Sequence, residues 1–191
     1  SSIFDTEFTS GSAWGTLTYT SSGSTVAVKA RTSNSSSMTG ATDFSSCTAI
    51  SSGSDISSNS CVTDGHKYIQ YQLALSTSDT SSTPTFSDIS IAFSVYDSNA
   101  PSISLTALSP DPGSDNTPTL SGTATDSIGT VSNVQFQMDA TSGSWSSCTA
   151  SDGSFNSASE AFSCTAATLT DGSHTMYVRA TDSNGNTTSS T

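Results

Sequence analysis

Short stretches in which apolar and polar residues alternate constrain this chain of 191 residues more than any other feature. One such stretch runs through Ile69, Tyr71, Leu73 and Leu75. A period of two places the apolar side chains on one face of a β-strand. We find no window with the 3.6-residue apolar spacing of an amphipathic helix. The sequence therefore predicts an all-β protein of antiparallel sandwiches, whose strands are separated by turns rich in Gly, Pro, Asp and Asn.

The composition argues against disorder and against nucleic acid as a partner. Only 10% of the residues are charged, and the formal net charge is -12. Disordered chains are usually highly charged and lack a regular apolar pattern. The basic side chains of Lys29, Arg31, Lys67 and Arg179 are dispersed along the sequence, so they cannot neutralise a phosphate backbone. We also expect no membrane insertion, because no apolar run approaches the length of a membrane span.

Four cysteines form two local pairs, Cys47 with Cys61 and Cys148 with Cys164. Four cysteines allow three connectivities, of which local pairing is the simplest. Each local bridge closes a loop of about 15 residues, which the chain-entropy model values at roughly 3 kcal/mol. Zinc is the alternative, but the sequence has no CxxC element and no histidine at ligand spacing. Disulfides predict an oxidising environment, and therefore an extracellular or cell-surface location.

The two halves of the chain share a plan. "SSCTA" occurs at 45–49 and at 146–150, and each copy opens a loop that a second cysteine closes. "TDG" and an alternating strand follow in both halves. A strand ends near "YDSNAPS" (96–102), where a proline interrupts pairing and a new alternation begins. We therefore predict two tandem modules, 1–97 with the first cysteine loop and 98–191 with the second.

The second half resembles a known family. "NAPSISL", "DNTPTLSGTATD", "VSNVQFQMD" and "DGSHTMYVRATDSNGN" are similar to the bacterial Ig-like modules of large secreted and surface proteins. The resemblance runs from about residue 98 to 187, and it implies a seven-strand sandwich with a spacer or adhesive role and no catalysis. The first half resembles another β-sandwich module of bacterial surface proteins, through segments such as "VAVKARTSN" and "KYIQYQLALS".

Catalytic groupings do not stand out in the sequence. His66 and His174 each follow an Asp-Gly turn and open a strand, and a polar histidine beside a turn is their simplest interpretation. No nucleophile elbow, phosphate-binding loop or zinc-binding helix motif occurs. The sequence therefore predicts a protein that is not an enzyme. Trp14 and Trp145 offer an alternative function, a platform on which surface glycans stack, although a sandwich tryptophan usually belongs to the core.

Acidic and amide side chains occupy the loops that the Ig-like plan brings to one end of the second sandwich, beside the junction with the first module. Calcium takes six to eight oxygen ligands from such groups. "YDSNAP" is also a partial version of the linker motif "DxNDNxP", through which adjacent cadherin modules share calcium. The competing interpretation is that Asp and Asn only stabilise turns. The predicted calcium ligands are Asp97, Asn99, Asp126, Asp182 and Asn184.

The final segment departs from the Ig-like pattern, because "NTTSST" has no apolar residue where the last strand should alternate. If it pairs at all, it gives a polar strand; otherwise the sandwich exposes an edge. Either the chain is a piece of a longer protein, or a neighbouring subunit supplies the strand. Ile3, Phe4 and Phe8 make the N-terminal segment a candidate donor, although this segment also fits as the first strand of its own module.

These observations lead to one functional hypothesis and two alternatives. The sequence predicts a structural subunit or segment of a bacterial extracellular surface protein or filament. Its expected partners are neighbouring copies of itself or further modules of the same protein. The alternatives are an adhesin or carbohydrate-binding module, and the accessory domains of a secreted enzyme.

Overall fold

The computed structural model of the protein describes residues 1–23, 25–111 and 113–190. The chain divides into two compact units, Ser1–Asp97 and Ser98–Thr191. Both units consist of antiparallel β-sheets, and the all-β fold class predicted from the alternation is confirmed. Among the described residues, no helix has the length and hydrophobicity that a membrane crossing requires.

The first unit is a sandwich of two three-stranded sheets. Its strands are β1 (Phe4–Asp5), β2 (Ser12–Ser22), β3 (Thr25–Ser33), β4 (Ser54–Asp55), β5 (Tyr68–Ser76) and β6 (Thr85–Val95). One sheet has the order β1-β5-β3 and the other the order β4-β2-β6. A 3-10 turn, Phe44–Ser46, opens the cysteine loop between β3 and β4. The two-residue strand β1 therefore lies at the edge of its sheet, and β6 lies at the edge of the other.

The core of the first unit comes from the alternating faces of β2, β3 and β5. The side chains of Trp14, Leu17, Val28 and Ile69 are buried there. The long strand β6 is different, because its inward residues are only partly covered. Phe93 remains 37% exposed although it pairs directly with the buried Trp14. The sheet that contains β1 is too short at this edge to cover the whole of β6.

The second unit is a sandwich of two four-stranded sheets. Its strands are β7 (Ser102–Leu105), β8 (Thr119–Thr125), β9 (Val131–Met138), β10 (Ser146–Ser147), β11 (Thr149–Ala150), β12 (Ser159–Thr165), β13 (Met176–Asp182) and β14 (Thr187–Ser190). The sheet orders are β10-β9-β13-β14 and β11-β12-β8-β7. Val134, Phe136, Phe162 and Val178 fill the space between the sheets.

Cys148 marks the point where the chain of the second unit changes sheet. β10 pairs with β9 in one sheet, and β11 pairs with β12 in the other, with Cys148 alone between them. Its disulfide partner Cys164 lies on β12 and is fully buried. The bridge thus fixes the crossing segment to the second sheet.

The first unit holds the other disulfide, between Cys47 and Cys61, and no described cysteine is free. Both bridges are local, as the simplest connectivity predicted. Their sequence separations are 14 and 16 residues.

The chain's own tail supplies the strand that seemed to be absent from the sequence. Thr187–Ser190 forms β14, which pairs antiparallel with Val178–Thr181 of β13. Of the two possibilities that the sequence left open, the polar strand is the one that forms, and the edge beside β13 is paired. Backbone hydrogen bonds do not depend on apolar side chains, and the Thr188 and Ser190 side chains are half-buried. A strand without apolar residues is sufficient at the edge of a sheet.

Candidate functional site

Two buried carboxylates meet at one end of the second unit. Asp126 follows β8, and Asp182 is the last residue of β13. Their side chains are only 4% and 2% exposed, and each offers a carboxylate oxygen within 4.8 Å of the other. Antiparallel strands carry the ends of β8 and β13 to the same end of the sandwich. The topology therefore places the two side chains as the Ig-like plan predicted.

Asp126 stabilises the turn that follows β8. Its Oδ1 accepts hydrogen bonds from the backbone N–H groups of Ile128 and Gly129, at 2.8 and 2.6 Å. Its backbone N–H donates to the carbonyl oxygen of Ala158, which anchors the turn to the loop before β12. The other carboxylate oxygen, Oδ2, is buried and accepts no hydrogen bond from the described residues. Leaving a buried carboxylate oxygen unsatisfied is costly, so this atom requires a partner.

Asp182 organises the loop between β13 and β14. Its Oδ1 accepts from the backbone N–H groups of Asn184 and Asn186, and its Oδ2 accepts from the Asn186 side-chain amide at 2.8 Å. The pairing of β13 with β9 shifts register here, because Thr181 lies opposite Asn133 whereas Asp182 lies opposite Val131. The Ser183 N–H donates to the Thr130 carbonyl oxygen and ties this loop to the loop after β8. Both carboxylates are therefore held in place by backbone groups.

No positive side chain among the described residues neutralises this pair. Arg179 is the only Lys or Arg in the second unit, and it donates to Gln135. The ion pairs of the described residues are Lys67 with Asp5, and His174 with Asp139. Two like charges less than 5 Å apart repel each other by a few kcal/mol at the effective dielectric constant of a protein. The arrangement is therefore suited to a cation with oxygen ligands.

The other predicted metal ligands are placed differently. Asp97 ends the first unit, and Asn99 lies exposed in the segment before β7, so their participation stays a prediction. Asn184 is exposed, and its side-chain oxygen accepts a hydrogen bond from Ser183. Asn186, which was not among the predicted ligands, binds the Asp182 carboxylate. Only the geometry of the loop between β13 and β14 reveals this contact, since "SNGN" offers two asparagines and no reason to choose between them.

Both histidines contact neighbouring residues of their own unit. Nδ1 of His66 lies 2.9 Å from Oγ1 of Thr32, a buried hydroxyl that also accepts the Thr63 N–H. His174 is bound on both ring nitrogens, by an Asp139 carboxylate oxygen at 2.7 Å and by the Thr170 carbonyl oxygen at 2.9 Å. These two acceptors raise the pKa of His174, and the resulting hydrogen bond lowers the pKa of Asp139. An Asp–His pair whose second nitrogen faces a backbone carbonyl has no nitrogen available to activate a nucleophile.

Trp14 is buried, and an arginine lies over the ring of Trp145. Trp14 is only 3% exposed and belongs to the core of the first unit. Trp145 is half-buried, and the guanidinium of Arg179 lies 4.4 Å from the centroid of its ring. Stacking of a sugar needs an exposed aromatic face. Neither ring therefore favours the carbohydrate-platform alternative.

The predicted strand donor lies on its own unit. Phe4 pairs with Ile69 in β1, and Tyr71 exchanges hydrogen bonds with the hydroxyl of Ser1. Ile3 is 36% exposed, Phe4 is 52% exposed, and Phe8 is half-buried with its ring 5.8 Å from that of Phe93. The N-terminal segment thus forms the first strand of its own module, which is one of the two roles that its sequence allowed.

Phe4 borders a cleft of about 360 Å³ between the two sheets of the first unit. Trp14, Ile69, Ile91 and Phe93 contribute to its walls. The indole nitrogen of Trp14 is buried and has no hydrogen-bond partner among the described residues. The N-terminal segment therefore covers part of an apolar surface without filling it.

A comparison with protein families agrees with the topology of the second unit. Residues 101–178 match the family model described as a bacterial Ig domain. The second unit is a bacterial Ig-like domain. No curated protein matches the chain. The matched segment begins at the fully buried Pro101 before β7 and ends inside β13. Asp126 belongs to this matched part of the Ig-like domain, whereas Asp182 and β14 lie just beyond it.

Proposed function

We propose that this chain is a non-enzymatic structural segment of a bacterial extracellular surface protein or filament. The bacterial Ig-like domain carries the proposal, because modules of this family are structural or surface modules without catalytic function. A second β-sandwich precedes it, and each unit has its own local disulfide. Local bridges and short antiparallel strands suit a chain that must keep its fold outside the cell.

The surface composition supports a structural role. The chain has sixteen acidic residues and four Lys or Arg. Such a net charge keeps modules soluble and discourages non-specific association. His174, whose two ring nitrogens are both hydrogen-bonded, supports the non-enzymatic part of the proposal.

The test is the location and thiol state of the protein in cells that produce it naturally. Intact cells are treated with a protease and with an impermeant thiol label before and after reduction. We expect cleavage or antibody labelling at the outer surface, and thiol labelling only after reduction. A cytoplasmic protein with four reactive thiols would contradict the proposal.

A specific observation favours assembly by strand exchange through β1. In the N-terminal segment, the ladder with β5 has only two residues, Phe4 and Asp5, and more than half of the Phe4 surface remains exposed. The same segment on a neighbouring copy would make the same contacts with β5 and with the cleft beside Trp14. Exchange of an identical element is a low-cost route to oligomers, and an exchange that does not close produces filaments.

Cysteines at Asp5 and Tyr68, which face each other in the ladder, distinguish the two forms of pairing. Under oxidation, an intrachain bridge is expected in isolated copies, and an interchain bridge is expected in assemblies. Deletion of residues 1–8 should abolish assembly. Polymers that form equally well without these residues, or that contain only intrachain bridges, would exclude strand exchange while leaving the structural role intact.

A further inference from the structure

The two buried carboxylates of the Ig-like domain create an electrostatic problem that the protein's own side chains do not solve. Asp126 and Asp182 offer oxygens within 4.8 Å of each other and are almost entirely shielded from water. Buried charges are normally paired with an opposite charge or with a metal ion. Arg179, the only Lys or Arg of this domain, is bound to Gln135 and covers the Trp145 ring.

The hydrogen bonds of Asp126 show which atom lacks a partner. Oδ1 receives two backbone N–H groups, whereas the buried Oδ2 receives none from the described residues. Turn stabilisation accounts for one oxygen of the carboxylate and leaves the other without a role. This orphaned oxygen, on a side chain that is 96% buried, is an observation independent of the proximity of the two acids.

We propose that Asp126 and Asp182 bind a calcium ion at this end of the Ig-like domain. Only oxygen ligands are available there, because the cysteines of the domain are in a disulfide and His174 is bound to Asp139. A site of this kind favours a hard cation over zinc. Calcium accepts irregular sets of carboxylates, carbonyls and water, whereas magnesium requires a nearly ideal octahedron. The turns that hold the two carboxylates are set by backbone hydrogen bonds and do not impose such an octahedron.

The site has a second consequence, for the protein without calcium. Two buried like charges destabilise the fold when no cation lies between them, so neutralising one of them should raise stability in the absence of calcium. Asn at position 126 keeps the Oδ1 acceptor for the Ile128 and Gly129 N–H groups. Asp126→Asn therefore removes the charge and preserves the turn. It is the decisive variant, because a purely structural role for Asp126 predicts no gain.

The experiment compares the thermal unfolding of the full chain after chelation, with and without 10 mM CaCl₂, and with MgCl₂ as the competing ion. For the wild type we expect calcium to raise the Tm by about 3–8 °C, as mass action predicts for a site with a dissociation constant on the order of 0.1–1 mM. Magnesium should give less than half of that shift. Asp126→Asn should lose the calcium response and should melt at or above the wild-type temperature in chelator.

Asp115→Asn is the matched control, because Asp115 is an exposed acid that stabilises a turn through Thr117 in the same domain. This variant should retain the full calcium response. Three outcomes would overturn the proposal: a wild type that does not respond to calcium, equal responses of the wild type and Asp126→Asn, or equal responses to calcium and magnesium. Calorimetric titration of the chelated protein should give one calcium per chain, which separates this site from diffuse binding to an acidic surface.

Discussion

The guanidinium of Arg179 lies 4.4 Å from the centroid of the Trp145 ring, and two of its N–H groups donate to Gln135 on the neighbouring strand. The first unit has the same arrangement, but there the arginine lies on the strand before the cysteine loop and the glutamine lies on the strand after it. Arg31 lies over Phe44 at the same distance and donates to Gln70. In both units the aromatic residue stands three positions before the first cysteine of the disulfide.

We expect the Arg and Gln of the second unit to be exchangeable. Gln135 lies on the strand before the cysteine loop, as Arg31 does in the first unit, so an arginine there should also reach the aromatic ring. Arg179→Gln should destabilise the protein by about 1–2 kcal/mol, because the cation–π contact and the hydrogen bonds to Gln135 are lost. Gln135→Arg should destabilise it by about the same amount, because two arginines then face each other.

The double variant should recover most of this loss, and chemical denaturation of the four proteins measures the coupling. Additive losses would show that the arrangement of the first unit does not transfer to the second.

The Cys148–Cys164 bridge should contribute about 3 kcal/mol to the free energy of unfolding, because it closes a loop of 16 residues. Replacing both cysteines with alanine should lower the Tm of the Ig-like domain and leave the other unit unaffected. Differential scanning calorimetry checks this if the two units unfold in separate transitions. The corresponding double alanine variant of Cys47 and Cys61 is the control, since it should shift the transition of the first unit instead.

Gly122 has no room for a side chain. A Cβ at this position would lie 2.6 Å from the Ser104 carbonyl oxygen and 2.8 Å from the ring of Phe162. Gly122→Ala should therefore destabilise the Ig-like domain by about 1–3 kcal/mol, because the backbone of β7 or the buried ring must move. Gly15→Ala on β2 is the comparison and should change stability much less, because its Cβ would lie 3.4 Å from the nearest atom, the Ala92 carbonyl oxygen. Equal losses in urea denaturation would contradict this explanation.

The Asp139–His174 pair should make stability depend on pH. The pKa of His174 is raised from 6.5, so its contribution is complete below pH 6.5 and is lost as the pH rises through the higher folded value. The pKa of Asp139 is lowered from 3.8, so its contribution is present above pH 3.8 and is lost as the pH falls through the lower folded value. The pair therefore stabilises the fold most between about pH 4 and 6.5.

Asp139→Asn is the suitable variant for this test, because asparagine tolerates the positive φ of 58° at this position. The Tm difference between the wild type and Asp139→Asn should be largest near pH 5 and should shrink above pH 7. A difference that stays constant from pH 5 to 9 would assign the effect to the hydrogen bond between Asp139 and the Thr175 N–H alone.

The sequence by itself determined the all-β class and the Ig-like plan of the second unit. Alternation such as that of Val134, Phe136 and Met138 specifies which side chains face the core, and no tertiary contact is needed to see it. The sequence also predicted the two local disulfides, because the cysteines of each pair are close together along the chain. The sequence left open whether the edge strand β14 forms, because this strand depends on backbone pairing with β13 and carries no apolar signal.

Only the tertiary structure decided which acidic residues act together. Asp126 and Asp182 are 56 positions apart, and many other Asp and Asn residues occupy turns with the same local sequence character. Their proximity results from the ends of β8 and β13 reaching the same end of the sandwich, where Asp182 lies on the same buried face of β13 as Ala180. The contact of Arg179 with Trp145 arises in the same way. A period-two pattern determines the face on which a side chain lies, whereas strand order and register determine the neighbours that it meets.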